Sequence, residues 1–380
     1  MIPRMLKEQV RTDLQKGKVI IIYGPRQSGK TTLVTDVAKS SGIRYLIMNG
    51  DEPDDREQLS NVTSAQLKAL IGTSKLLIID EAQRIENIGL TLKLIHDQIK
   101  GVQVIATGSS AFDLADKISE PLTGRKYVFH LYPFSFLEMS QYTSQSEEKR
   151  LIEHRMVYGY YPDVVTHKGE EMRTLALLSD SYLYKDLFAW EKIKKPSLLQ
   201  KLLKALSLQL GNEVSFNELS KLIGADKETV ERYIDALEKA FVIFTLPGFS
   251  RNVRTELRKG KKIYFIDNGI RNALISNFSP PGLRTDTGAL WENFLISERR
   301  KLLAIHNPFR KSYFWRTVQQ QEVDYLEEWN GRLYAYEFKW KKEGKDKFPT
   351  TFTKAYKESV CEQISAKNFD RFVSGSDLRD

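Results

Sequence analysis

Apolar residues fall along this chain in two rhythms, and the change from one to the other marks its elements. Val19-Ile20-Ile21-Ile22-Tyr23, Leu76-Leu77-Ile78-Ile79 and Val102-Gln103-Val104-Ile105-Ala106 are short, nearly unbroken apolar runs. Runs of this length, bounded by turn residues, read as strands buried on both faces of a parallel sheet. Arg44 to Met48 and Tyr127 to Leu131 supply two more. Between them the spacing turns helical: Met5, Leu6, Val10 and Leu14 within Pro3 to Lys16, then Thr31 to Ser41 ending at Gly42. Leu67 to Ile71 closes a helix before Gly72, and Ile88 to Ile99 is amphipathic. Asn49 to Asp55 is polar and acidic and is expected as a loop. Strands alternating with helices predict an α/β domain, a parallel sheet with helices on both faces.

The rest of the chain changes character. Ser140 to Glu148 is polar and reads as a linker, and Arg150 to Glu191 reads as helical, broken at Gly159-Tyr160-Tyr161-Pro162. Leu198 to Leu210 is a helix. Ser215-Phe216-Asn217-Glu218 is a capping box, and Asp226 caps Lys227 to Ala240, with Val230, Ile234 and Leu237 inward. Phe241 to Leu246 and Ile263 to Ile266 are strands around a long loop, which makes the order that of a winged helix. Beyond Asn268 come a helix from Gly288 to Leu303, a strand from Ser312 to Thr317, and a hairpin of Glu322 to Trp329 with Arg332 to Trp340. Asn330-Gly331 predicts a two-residue type I′ loop, so Trp329 should pair with Arg332. Counting outward sets Asp324 opposite Glu337 and Lys339 opposite Glu322. Facing carboxylates repel unless a cation lies between them. Asp324 and Glu337 are therefore expected to hold a divalent metal; the alternative is that Lys339 pairs with Glu322 and one carboxylate is protonated or leans into solvent.

Composition narrows the classes. The 380 residues suffice for two or three domains. The one cysteine, Cys361, excludes an internal disulfide and suits a reducing cytosol. No apolar stretch approaches the ~18 residues of a membrane span, and Met1 to Arg11 has no signal-peptide core. A cytoplasmic protein is expected. The net charge of +9 favours a polyanionic partner. The five histidines show no ligand spacing.

Two stretches carry chemistry. Gly24-Pro25-Arg26-Gln27-Ser28-Gly29-Lys30-Thr31-Thr32 fits G-x-x-x-x-G-K-[ST] and lies between a strand and a helix. Loop N–H groups and the helix N-terminus would cradle phosphates, Lys30 would reach the β- and γ-phosphates, and Thr31 would hold Mg²⁺. Lys75-Leu76-Leu77-Ile78-Ile79-Asp80-Glu81 runs an apolar strand into two carboxylates at the sheet edge where ligands bind. Asp80 would orient Mg²⁺ and Glu81 the attacking water. Thr107 and Ser109, at the end of the next strand, are candidates to sense the γ-phosphate. Arg125 is a candidate finger, on its own nucleotide or on a neighbour's in a homo-oligomer. In the loop after Phe249, Arg251, Arg254, Arg258, Lys259, Lys261 and Lys262 form a basic wing suited to a nucleic-acid backbone, with no base-reading pattern.

The motifs from Gly24 to Pro133, with Thr107-Gly108-Ser109-Ser110, Leu122-Thr123-Gly124-Arg125 and Leu131-Tyr132-Pro133, resemble the prokaryotic AAA-type ATPases related to the STAND and archaeal ATPase group. The resemblance implies ATP and Mg²⁺ as cofactors. It also implies an ATPase core over 1–140, a helical lid over 141–195, a winged helix over 196–267, and a domain similar to PD-(D/E)XK nucleases over 268–380. In such nucleases a helical Glu, a strand Asp and a Glu-x-Lys form the site; the matching residues are Glu292, Asp324, Glu337 and Lys339. The expectation is an Mg²⁺-dependent ATPase whose nucleotide state controls a nucleic-acid-binding winged helix, with DNA favoured over RNA, and a nuclease-like domain. The alternatives are an ATP-gated switch with an inert nuclease fold, and a STAND-like signalling scaffold.

Overall fold

The computed structural model describes residues 1–14, 16–109, 114, 117–118, 120–182, 195–251, 260–341 and 348–378. They form two compact units. The first comprises Met1–Phe134 with Lys239–Phe241, and the second comprises Ser135–Glu238 with Val242–Asp380.

The first unit follows the apolar rhythm. After α1 (Leu6–Asp13), strands β1 (Val19–Tyr23), β2 (Tyr45–Asn49), β3 (Leu76–Asp80), β4 (Gln103–Gly108) and β5 (Lys126–His130) alternate with α2 (Lys30–Ser41), α3 (Pro53–Leu59), α4 (Ser64–Ile71) and α5 (Ile88–Gln98). The sheet order is β2-β3-β4-β1-β5, and every pairing is parallel. Each residue of β1, β3 and β4 is buried. A parallel strand covered on both faces explains why these runs are continuous rather than alternating. The stretch expected as a loop before Asp55 instead starts a helix at Pro53. Proline at the first helical position loses no hydrogen bond, and Asp54 and Asp55 sit in the first turn, where the helix dipole favours acids.

The second unit opens with five short helices: α6 (Phe136–Tyr142), α7 (Gln145–Arg150), α8 (Ile152–Tyr158), α9 (Pro162–Thr166) and α10 (Glu171–Leu177). The expected linker from Ser140 to Glu148 is thus helical. Ser135 and Glu138 form a capping box on α6, and Ser144 caps α7. The polarity of Glu148 is internal, since it accepts a bidentate pair from buried Arg155 at 2.8 and 3.0 Å. There follow α11 (Pro196–Leu208), β6 (Glu213–Val214), α12 (Phe216–Ile223), α13 (Lys227–Lys239), β7 (Ile243–Pro247) and β8 (Lys261–Phe265), with the antiparallel sheet ordered β6-β8-β7.

After α14 (Asn268–Leu274), the long helix α15 (Thr287–His306) precedes β9 (Lys311–Arg316), β10 (Glu322–Trp329) and β11 (Arg332–Lys339). Then come α16 (Thr350–Ala355), β12 (Val360–Ser365) and α17 (Phe369–Ser374). The second sheet of this unit is ordered β12-β11-β10-β9, with β12 parallel to β11. Its hairpin turns at Asn330 and Gly331, with φ of 49° and 76°. Two left-handed residues define the type I′ geometry. Trp329 pairs with Arg332, and the ladder reaches Tyr325 opposite Tyr336.

Candidate functional site

The carboxyl edge of the first unit's sheet brings three stretches together. β1 runs into residues 24–29 and then α2, β3 ends at Asp80, and β4, lying between them, ends at Gly108. The loop is held against the sheet: Gly24 donates to the carbonyl of Gly108, and a Cβ at Gly24 would stand 2.0 Å from the carbonyl oxygen of Leu131. Only glycine fits there. The Lys30 ammonium lies over the loop, donating to the carbonyls of Gly24 and Pro25 at 2.9 Å each. The Ser28 hydroxyl is fully buried and has no hydrogen-bond partner among the described residues. Arg26 and Gln27 continue the loop, Gln27 with φ of 54°, and Thr31 and Thr32 open α2 on its exposed side.

Asp80 is the meeting point. Thr31 Oγ1 donates to its Oδ2 at 2.6 Å, and Thr107 Oγ1 donates to its Oδ1. The N–H of Glu81 donates to Thr107 Oγ1 at 3.2 Å. Glu81 itself has φ of 47°, a left-handed conformation that costs a non-glycine residue energy and that clusters at working sites. Its carboxylate accepts from Gln83 Nε2 at 2.5 Å, and the same amide reaches Ser109 Oγ at 2.9 Å. Thr107 and Ser109 therefore brace the acids. Sequence reasoning included Gln83 in the resembling run Asp80-Glu81-Ala82-Gln83-Arg84 but gave it no role. It missed Arg4, which donates to the carbonyls of Ser28 (2.7 Å) and Tyr132 (2.5 Å) with its guanidinium over the Phe134 ring.

Arg125 is elsewhere. It precedes β5, its carbonyl accepts from Val19 at the start of β1, and its Nε pairs with Asp97 at 3.0 Å. The P-loop follows the other end of β1, about 13 Å away at ~3.3 Å per residue. Arg125 thus lies at the opposite end of β1 from the P-loop.

The basic wing is divided. Arg254, Arg258 and Lys259 lie outside the described residues. Arg251 and Lys261 are exposed, Arg251 stacking over Tyr356. Phe249 is core, packed with Tyr313, Trp315 and Val323. Lys262 is 2% exposed, so it is not a phosphate contact. Strand β8 starts two residues earlier than its apolar run suggests, and alternation turns Lys262 inward while Lys261 faces out.

Lys262 points into the carboxylates that the nuclease resemblance singles out. Its Nζ stands 3.1 Å from Glu292 Oε1 on α15 and pairs with Glu322 Oε1 on β10. Tyr264 Oη donates to the same Glu292 oxygen at 2.6 Å. Asp324 accepts from the N–H of Phe338 at 2.8 Å, and Lys339 Nζ lies 3.4 Å from Glu337. Burial drives the Glu292 carboxyl up to about 7 against the pull of Lys262, with Asp324 adding to the rise. Burial and the neighbouring Asp324 drive Glu337 up to about 8. Burial also raises Asp324, opposed by Lys262. The Lys262 ammonium is held above its ordinary value because Glu292, Glu322 and Asp324 outweigh its burial. The hairpin thus sets Asp324 near Glu337, but the Lys262 ammonium already opposes the Asp324 charge and the Lys339 ammonium that of Glu337. Among the described residues no three His, Cys, Asp or Glu side chains are arranged to hold a metal ion, so the four residues as placed do not fit the expected divalent cation. Likewise, no helix among the described residues is long and apolar enough to cross a membrane.

Residues 16–140 match a family model described as an AAA domain. Residues 149–281 match a domain of unknown function (DUF8612), and residues 287–371 another (DUF4143). An uncharacterized protein of Mycobacterium tuberculosis is 30% identical over 338 residues, covering 87% of this chain and 72% of the relative. One of Haemophilus influenzae is 24% identical over 281 residues, covering 67% and 68%. Among solved structures, a Walker-type ATPase of Pyrococcus abyssi aligns at 14% identity and a TM-score of 0.49, over 72% of this chain and 96% of that one.

Proposed function

The chain belongs to the same family as the Mycobacterium tuberculosis protein and carries a P-loop AAA domain of the ATPase type, and from that premise we propose that it hydrolyses ATP with Mg²⁺ and uses its nucleotide state to control a nucleic-acid-binding second unit. The observation that carries the reading is the chain of contacts Thr31–Asp80–Thr107–Glu81, extended through Gln83 to Ser109.

The residues suit the cofactors. The glycine cradle, the orphaned Ser28 hydroxyl and Lys30 suit the β- and γ-phosphates, and Thr31 with Asp80 offers the oxygen donors that Mg²⁺ takes. Bound Mg²⁺ would neutralise phosphate charge. Lys30, now donating to loop carbonyls, would exchange them for phosphate oxygens. Glu81, fixed by Gln83, would orient water, and Thr107 would hold Asp80 while relaying its position to the Glu81 backbone. A γ-phosphate at this edge would bias the two braced acids and so the arrangement they favour.

For the second unit, three helices and the sheet β6-β8-β7 support a winged helix, and exposed Arg251 and Lys261 support backbone contact by its wing. The grouping of Glu292, Asp324, Glu337 and Lys339 supports a nuclease-like C-terminal region. The test is binding of fluorescent duplex DNA with ATP, with ADP and without nucleotide, each with Mg²⁺ and with chelator. Affinity should differ between ATP and ADP only when Mg²⁺ is present. DNA binding indifferent to nucleotide would remove the control, and no DNA binding at all would remove the partner.

A further inference from the structure

The lysine in the carboxylate pocket comes from the wrong sheet. Glu322, Asp324 and Glu337 stand on β10 and β11, and Glu292 on α15, but Lys262 stands on β8 of the three-stranded sheet. Its ammonium is more buried than that of Lys339, the lysine that the nuclease resemblance assigns to the site: 2% of its side chain is exposed against 51%. A buried ammonium is costly unless paired, and the charged groups that face this one, Glu292, Glu322 and Asp324, are acids of the pocket. Phe314 closes another side, its ring 5.5 Å from the nitrogen. Tyr264, two residues along the same face of β8, donates to Glu292 as well. Strand β8 therefore delivers a cation and a hydrogen-bond donor to one carboxylate.

We propose that the Lys262 ammonium is the resident cation of this pocket, and that it excludes a divalent metal for as long as β8 stays packed on α15 and β10. The proposal rests on the nuclease-like reading of Glu292, Asp324 and Glu337. The physical reason is competition for the same oxygens. A divalent ion bound by Asp324 and Glu337 would fill the rest of its oxygen shell with water or with Glu292 and Glu322, and both glutamates are engaged by Lys262 Nζ. Two cations a few ångströms apart in a partly buried pocket repel. Admission of metal is then governed by the three-stranded sheet rather than by the acids themselves.

The experiment is a Mn²⁺ titration followed by electron paramagnetic resonance. The full-length protein carries Lys30→Ala so that the P-loop contributes no nucleotide-linked metal. With Lys262 intact, Asp324→Asn should change nothing at millimolar Mn²⁺. Lys262→Met should gain one site, with affinity rising roughly tenfold or more, and adding Asp324→Asn should remove it. Lys262→Arg keeps a cation there and should gain none. Asp324-dependent Mn²⁺ binding with Lys262 in place would overturn the proposal and leave the nuclease-like reading standing. A folded Lys262→Met protein that binds no Mn²⁺ would sink that reading along with the proposal. If Lys262→Met does not fold, the Asp324→Asn comparison with Lys262 intact decides alone.

Discussion

Asp80 shows how much of the site rests on single side chains. It accepts from two threonines, one 49 residues before it on α2 and one 27 residues after it on β4. Thr107 has no outlet to water, since it is wholly buried. Thr107→Val should leave nucleotide affinity close to wild type and lower turnover, because Asp80 and the Glu81 N–H each lose a partner. Leaving such buried groups unsatisfied costs about 1–3 kcal/mol, on the order of tenfold or more in rate if it falls on the transition state. Steady-state phosphate release with a separate binding measurement separates the two effects. Equal losses of affinity and rate would mean that Thr107 supports the fold of the loop instead. At this scale the motif residues were legible, because P-loop chemistry demands fixed types at fixed spacing. Arg4, Gln83 and Lys262 were not. Arg4 bonds carbonyls, which any donor of the right reach satisfies. Lys262 differs from Lys261 only by the side of the strand it falls on.

Elements explain why that side was missed and why the hairpin was not. The turn at Asn330-Gly331 fixes its own register, and the ladder runs from Trp329–Arg332 to Tyr325–Tyr336, the residues next to Asp324 and Glu337. Strand β8 has no such anchor, since its apolar run begins at Ile263 while its pairing begins at Lys261. The hairpin also predicts a pH dependence. The Glu337 carboxyl is raised from 4.5 to about 8, by burial and then by Asp324. The folded protein therefore keeps a proton that the unfolded chain releases, and stability falls as pH rises between those values. Below the lower value both states hold the proton, and above the upper one both have released it. Glu337→Gln should flatten the fall, so its melting temperature should exceed that of wild type most at the alkaline end. Parallel curves for the two proteins across this range would show that Glu337 ionises freely. The loop also makes a prediction: Gly24→Ala drives a methyl into the Leu131 carbonyl and should abolish ATP binding, read by loss of nucleotide-induced thermal stabilisation.

Across the whole molecule, the strands of the first unit were readable because buried parallel strands write unbroken apolar runs, while the helix from Pro53 to Leu59 was not, its first turn being acidic. The helices after Ser135 were obscured. Their polar residues work inside the fold as caps and as the Glu148–Arg155 pair, and polarity alone reads as a linker. The net charge is +9, and the proposed wing is where it would meet DNA. Replacing Arg251, Arg254, Arg258 and Lys259 with alanine should weaken binding alike for all DNA sequences. The slope of log affinity against log salt should shrink by ~0.9 for each phosphate that the variant no longer neutralises. An unchanged slope would place the DNA surface elsewhere.

ATP turnover at Glu81 tests the account most directly. Its carboxylate is held by Gln83, which Ser109 braces in turn, so it should orient water without contributing to affinity. Phosphate release should therefore fall by on the order of a hundredfold or more in Glu81→Gln, while Mg²⁺-ATP still binds, and Lys30→Ala should lose binding itself. Wild-type phosphate release from a Glu81→Gln protein would contradict the assignment of this edge as a hydrolytic site.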